Sequence, residues 1–204
     1  MYIYIHGATA TGQSFNYIRD IIRGKSMVLE YDSEAGFFNN LDRLSEEIAV
    51  TSDRLFFVGH SLGGIYSLSL AKRFESRTLG GVTISTPYGG SEIAPFLKYF
   101  VPFNRLLKEI GPTSKPILHA RDIELSVPWC NIVTTRGNSP WIATPNDGVV
   151  TVESQKLHSG FDYIEIAVNH YEVLLDPEVV QIIINRRRQA ELIGQMSQKS
   201  KTQP

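Results

Sequence analysis

Cysteine is almost absent from this chain: Cys130 is the only one in 204 residues. An intrachain disulfide is therefore excluded, and nothing in the composition favours an oxidising compartment. An excess of charge of one sign is missing too. The 20 lysines and arginines face 21 aspartates and glutamates, a formal net charge of -1, so no basic field exists to attract a phosphate backbone. No uninterrupted apolar run approaches the roughly 18 residues that span a bilayer. Met1-Tyr2-Ile3-Tyr4-Ile5 runs directly into His6-Gly7, without the basic flank or small-residue cleavage site of a signal peptide. There is no Asn-x-Ser/Thr sequon, and a cytoplasmic location is expected. No His/Cys cluster has zinc-ligand spacing, so neither metal nor cofactor is predicted. Arg186-Arg187-Arg188 reads as a solvated helix end rather than a nucleic-acid patch.

The apolar share of 42% is that of an ordinary globular protein, and the length suits a single domain. Strand and helix patterns alternate, which predicts an α/β fold: a mostly parallel sheet with crossover helices on both faces. Residues 2–5, 27–31, 54–58, 79–84, 128–134 and 163–168 read as strands. Phe37, Leu41, Leu44 and Ile48 recur at spacings of four, three and four, which predicts an amphipathic helix over 37–50. Further helices are expected from Leu62 to Phe74 and from Pro177, where proline suits a first turn, to about Ile193. Residues 91–126 break the rhythm, with Pro95, Pro102, Pro112 and Pro116 between apolar pieces, and read as a helical cap inserted in a domain spanning 1–194. Residues 195–204 read as a flexible polar tail.

The sharpest motif is Gly59-His60-Ser61-Leu62-Gly63-Gly64, a G-x-S-x-G between a strand and a helix. A nucleophilic serine needs such a place: a tight turn lifts its Oγ clear of the sheet edge, and flanking glycines let the backbone approach closely. The following helix N-terminus favours developing negative charge. The base must come from five histidines. His60 precedes the nucleophile and cannot reach back to it; His6, His119 and His158 fall in a loop, the cap and a polar connection. His170 follows a strand directly and lies at the same sheet edge as Ser61, so it is assigned as base. Asp147, in Asn146-Asp147-Gly148-Val149-Val150, gives the chain order Ser, Asp, His and is assigned as acid; Asp162, Asp122 and Asp176 are its rivals. The Leu62 N–H and that of Ala8, or of Thr9 beside it, are expected to form an oxyanion hole. Gly7 and Gly12 have phosphate-loop spacing, but Gln13-Ser14 stands where Lys-Ser/Thr is required.

These motifs, with Thr86-Pro87-Tyr88-Gly89-Gly90-Ser91, resemble the α/β-hydrolase superfamily, specifically its compact lipases and esterases. The resemblance spans residues 5 to about 175. It implies hydrolysis of carboxylic esters through an acyl-enzyme, with Ser61, His170 and Asp147 as triad, and a sheet of about six strands lacking the two leading strands of the full fold. Tyr88 replaces the histidine of a Thr-Pro-His-x-Gly-Ser segment, a departure expected to alter the wall of the site. With Thr9, Phe96 and Tyr99, Tyr88 is expected to contact substrate. The stretch 93–107 either lines an acyl pocket, moves as a lid, or packs as core. A small-molecule acyl ester is the expected partner. The same triad serves thioesterases, acyltransferases and amidases, and a non-catalytic binding module on this fold is a third reading.

Overall fold

The computed structural model describes residues 1–91, 106, 109–137, 139 and 142–202. Six strands form one parallel sheet: β1 (Tyr2–Ile5), β2 (Ser26–Leu29), β3 (Leu55–His60), β4 (Thr78–Ile84), β5 (Trp129–Thr134) and β6 (Asp162–Ile166). Their spatial order is β2-β1-β3-β4-β5-β6. Between them run α1 (Asn16–Ile22), α2 (Phe37–Ala49), α3 (Leu62–Arg73), α4 (Lys115–Arg121) and α5 (Val152–Gln155), and α6 (Pro177–Thr202) closes the chain.

Strands buried on both faces read as continuous apolar runs, yet their side chains still alternate. Ile3 and Ile5 of β1, with Leu55 and Phe57 of β3, face one core. There they meet the four expected residues of α2 and the apolar surface of α3. Tyr2, Tyr4, Phe56 and Val58 face the opposite core, against Ile18 of α1 and Val179, Val180 and Ile183 of α6. Helices thus cover both faces, as the alternation of patterns predicts. Cys130 is buried in the second core, and burial pushes its thiol up to about 11, which suits a small hydrophobe.

Helices α1, α5 and α6 differ from expectation; α5 is a single turn of four residues. Helix α1 carries no motif and is too short for a periodic signal. Helix α6 continues to Thr202, past the expected end at Ile193, because residues 195–202 are polar but include no proline or glycine to stop a helix. Of the Arg186–Arg188 run, Arg186 pairs with Asp162, while Arg187 pairs with Glu191 and covers the Tyr2 ring.

Residues 92–105, 107 and 108 of the expected cap, Phe96 and Tyr99 among them, lie outside the described residues. Of its described parts, Leu106, Ile110, Ile117, Ala120 and Ile123 join the core on the α3 face. Among the described residues no helix is long and apolar enough to cross a membrane.

The sheet order places the site. After β1 the chain goes to β2 on one side, then returns to lay β3 on the other, so the carboxyl ends of β1 and β3 adjoin at a topological switch point. Open α/β sheets bind ligands at such points. Ile5 pairs in register with Gly59, which sets the loop after β1 beside the turn after β3. The approach is close: a Cβ on Gly63 would sit 2.0 Å from the Ile5 carbonyl oxygen. Only glycine allows α3 to start so near β1.

Candidate active site

Ser61 occupies the turn between β3 and α3 at φ 52°, ψ -123°, a conformation costly for any residue with a Cβ. Its N–H donates to the Ile84 carbonyl at the end of β4 (2.8 Å), so the neighbouring strand holds the strained turn. The side chain opens into a cavity of about 770 Å³ that His170 also lines.

His170 follows β6 in a loop anchored at two points. Its N–H donates to the Asp147 carbonyl (3.0 Å), and His60 Nε2 donates to the His170 carbonyl (2.8 Å). Burial, then the nearby His170 ring, pushes His60 down to about 3, so His60 is a neutral donor and adds no charge. His170 Nδ1 lies 2.7 Å from Asp147 Oδ2, both residues being buried. A carboxylate accepts at Nδ1, which leaves the lone pair on Nε2 to receive a proton.

Asp147 is fully buried. Burial opposes its ionisation, but the contact with His170, the Thr134 hydroxyl and the Val150 N–H together hold its carboxyl below the ordinary 3.8. Oδ1 accepts from Val149 N (2.9 Å) and Val150 N (2.8 Å). Thr134 Oγ1 lies 2.5 Å from Oδ2. Such a ring of donors stabilises the charged form. Asp147 is therefore an oriented, ionised acceptor for His170. The rival acids stand elsewhere: Asp162 pairs with Arg186, Asp176 accepts from the Glu178 N–H at the start of α6, and Asp122 lines a separate polar cleft with His158.

The loop after β1 forms the opposite wall. A turn closed by Ala10 N–H to the Gly7 carbonyl (3.2 Å) puts Ala8 and Thr9 at its apex, Thr9 at φ 63°, and both line the cavity. Glu30, just past β2, ties the two ends of the loop. Its Oε1 accepts the Gly12 N–H (2.7 Å), and its Oε2 lies 2.8 Å from His6 Nε2. The Leu62 side chain packs in the core, while its N–H lies in the first turn of α3, where backbone donors have no acceptor within the helix.

Tyr88 is a correction. It is fully buried, takes no part in the cavity wall, and packs against His158 and Phe161. Its hydroxyl meets Thr83 Oγ1 (2.9 Å) and Trp129 Nε1 (3.3 Å). A phenol with buried partners for its one polar atom can enter a core, and it is Pro87 that reaches the cavity. Thr134 and Gln155, which contact Asp147, and Ser85, which contacts Thr134, carry no motif in the sequence. The available signal was positional: Ser85 and Thr134 are polar residues at the carboxyl ends of adjacent buried strands, the edge where parallel sheets build sites.

No family model matches the chain, and no curated protein matches it. Solved structures do. A metagenomic carboxyl esterase superposes with a TM-score of 0.71 at 14% identity, over 91% of this chain and 74% of that one. A phospholipase from Legionella pneumophila gives 0.74 at 12% identity over 98% of this chain, which spans 63% of the phospholipase's length. An α/β superfamily hydrolase from Oenococcus oeni gives 0.63 at 14% identity over 92% of both chains. At such identities the likeness establishes the fold.

Proposed function

Taking the α/β-hydrolase fold of this chain as given, we propose that it is a serine hydrolase of carboxylic esters working through an acyl-enzyme. The observation that carries this reading is the buried His170–Asp147 contact of 2.7 Å opening on the same cavity as a serine held in a strained turn. Structural strain at a solvent-accessible polar residue is a feature of functional sites.

In the proposed reaction Ser61 Oγ attacks the acyl carbon while His170 Nε2 takes its proton. The N–H groups of Leu62 and Ala8, with Thr9 adjoining, hold the negative charge that develops on the carbonyl oxygen. Collapse breaks the bond to the leaving oxygen, which receives the proton from His170. Water then repeats the sequence on the acyl-enzyme, releasing the acid and restoring Ser61. Asp147 stays ionised and fixes the imidazole orientation throughout.

The cavity supports an apolar acyl group. Pro87, Ile110, Val149, Val150, Leu174 and Leu175 line it, and its volume falls within the range of small-molecule sites. Across p-nitrophenyl esters from acetate to octanoate, kcat/KM is expected to rise about fourfold per methylene, the equivalent of about 0.8 kcal/mol per buried CH₂, until the chamber is full. A flat series would remove the apolar-acyl assignment.

A fluorophosphonate probe tests the reaction itself, since it reacts with an activated serine whatever the natural substrate. Intact mass should rise by one adduct per chain. A folded protein that takes up no adduct would exclude the serine-hydrolase reading and favour a binding module.

A further inference from the structure

Asp147 has a second close donor on the oxygen that faces His170, and this donor is itself part of a buried chain. Thr134 Oγ1 carries a single proton. Its nearest acceptor is Asp147 Oδ2 at 2.5 Å, against 3.3 Å to Gln155 Oε1, so the proton points to the carboxylate. Ser85 Oγ lies 2.8 Å from Thr134 Oγ1. With the Thr134 proton committed, Ser85 must be the donor in that contact. The result is a one-way relay, Ser85 to Thr134 to Asp147, fully buried at every member.

Two features hold the relay in place. Gln155, also fully buried, sets its side-chain carboxamide against the end of β5. Its Oε1 accepts the Thr134 N–H (2.9 Å) and its Nε2 donates to the Thr134 carbonyl (3.0 Å). The amide thereby pairs with Thr134 as another strand would, fixing the residue that carries the hydroxyl. Ser85 sits at φ 53°, a strained position for a residue with a Cβ. Its N–H donates to the Ile132 carbonyl (2.9 Å), so β5 holds it there.

We propose that Thr134 is a positioning residue for the reaction: its hydroxyl, supplied by Ser85 and locked by Gln155, shares Asp147 Oδ2 with His170 and tempers the negative charge that the histidine meets. The proposal rests on the Ser61–His170–Asp147 reading above. A donor shared on one oxygen weakens the carboxylate's hold on an imidazolium. Without it, the carboxylate stabilises protonated His170 more strongly, and less of the enzyme carries a base able to take the Ser61 proton at a given acidic pH. The other groups facing this pair stay fixed across the neutral range. His60, at 4.9 Å between ring centres, is neutral through burial. Burial pushes the Tyr171 phenol up. Arg136 lies further out, lining a cleft with Asp147 and Tyr171.

The test is the pH dependence of fluorophosphonate labelling and of kcat/KM on p-nitrophenyl butyrate. It compares the wild type with Thr134→Val, Thr134→Ser and Ser85→Ala, and uses Asp147→Asn as reference. In Thr134→Val the midpoint of the acid limb should move up by about half a unit to one unit, and the plateau should fall about tenfold. Ser85→Ala should shift the midpoint in the same direction by less, and Thr134→Ser should restore both quantities. A folded Thr134→Val with the wild-type midpoint overturns the proposal even if its plateau falls, because a merely structural role would lower the plateau alone. Should Thr134→Val fail to fold, an unmoved midpoint in Ser85→Ala overturns it. If Asp147→Asn labels at the wild-type rate, the triad reading itself fails, an outcome separate from either result at Thr134.

Discussion

Ser61→Ala is expected to abolish the fluorophosphonate adduct and to lower ester hydrolysis by about 10⁴-fold or more. The fold should survive, because the Ser61 N–H bond to Ile84 and the packing of α3 are made by backbone and by other side chains. A second substitution separates chemistry from strain. Ser61 lies at φ 52°, ψ -123°, where a Cβ is costly and glycine is at ease. Ser61→Gly should therefore be as inactive as Ser61→Ala yet more stable than it by about 1 kcal/mol, measured by urea unfolding of the two variants. The wild type keeps a strained residue at this turn, and the reading of Ser61 as nucleophile gives the reason: only there does the hydroxyl stand at a helix N-terminus and face the loop after β1. Retained labelling in Ser61→Ala would move the nucleophile elsewhere. A glycine variant less stable than the alanine one would remove strain from the account.

The fold was legible because its signals are local. Each β-run ends at a glycine or polar turn, α2 repeats its apolar residues every three or four positions, and Pro177 marks the first turn of α6. These features need no partner to be recognised. Ser61 and its flanking glycines were equally local, since a Cβ at position 63 would sit 2.0 Å from the Ile5 carbonyl oxygen and only glycine fits there. His170 and Asp147 were legible only through chain order, which limits which strand ends can converge. The rest depended on distances in space. Thr134 and Gln155 meet Asp147, and Ser85 meets Thr134, from three separate stretches of chain, and no spacing in the sequence joins them. Tyr88 shows the converse: its place in a familiar motif implied a site wall, while the nearby Thr83 and Trp129 gave its hydroxyl a buried home. Polarity misled at the C-terminus, because residues 195–202 lack apolar anchors but retain good helix propensity.

Asp147→Asn carries the other large effect. The backbone donors at Val149 and Val150 fix which way the new amide points, since its oxygen must accept from them as Oδ1 does now. The amide nitrogen then replaces Oδ2, opposite both Thr134 and His170. An N–H facing His170 Nδ1 forces that nitrogen to accept, which moves the ring proton to Nε2, the position that must hold a lone pair to receive the Ser61 proton. A loss of about 10³- to 10⁴-fold in kcat is expected, with KM changed far less, because Asp147 makes no contact with substrate in the proposed reaction. Asp162→Asn, at the β6 start paired with Arg186, should leave kcat at the wild-type value. Stability gives an independent sign. The Asp147 carboxyl is held below its ordinary value in the folded protein, so its ionisation stabilises the fold above about pH 4, and that contribution is lost as pH falls through the lowered folded value. The asparagine variant has no such proton to take up. Its stability difference from the wild type should therefore narrow on acidification below pH 4, followed by urea unfolding at a series of pH values. A variant that keeps more than a tenth of wild-type kcat would show that His170 is oriented by something other than Asp147. A stability difference that does not narrow would show that Asp147 is not held as a carboxylate in the folded protein.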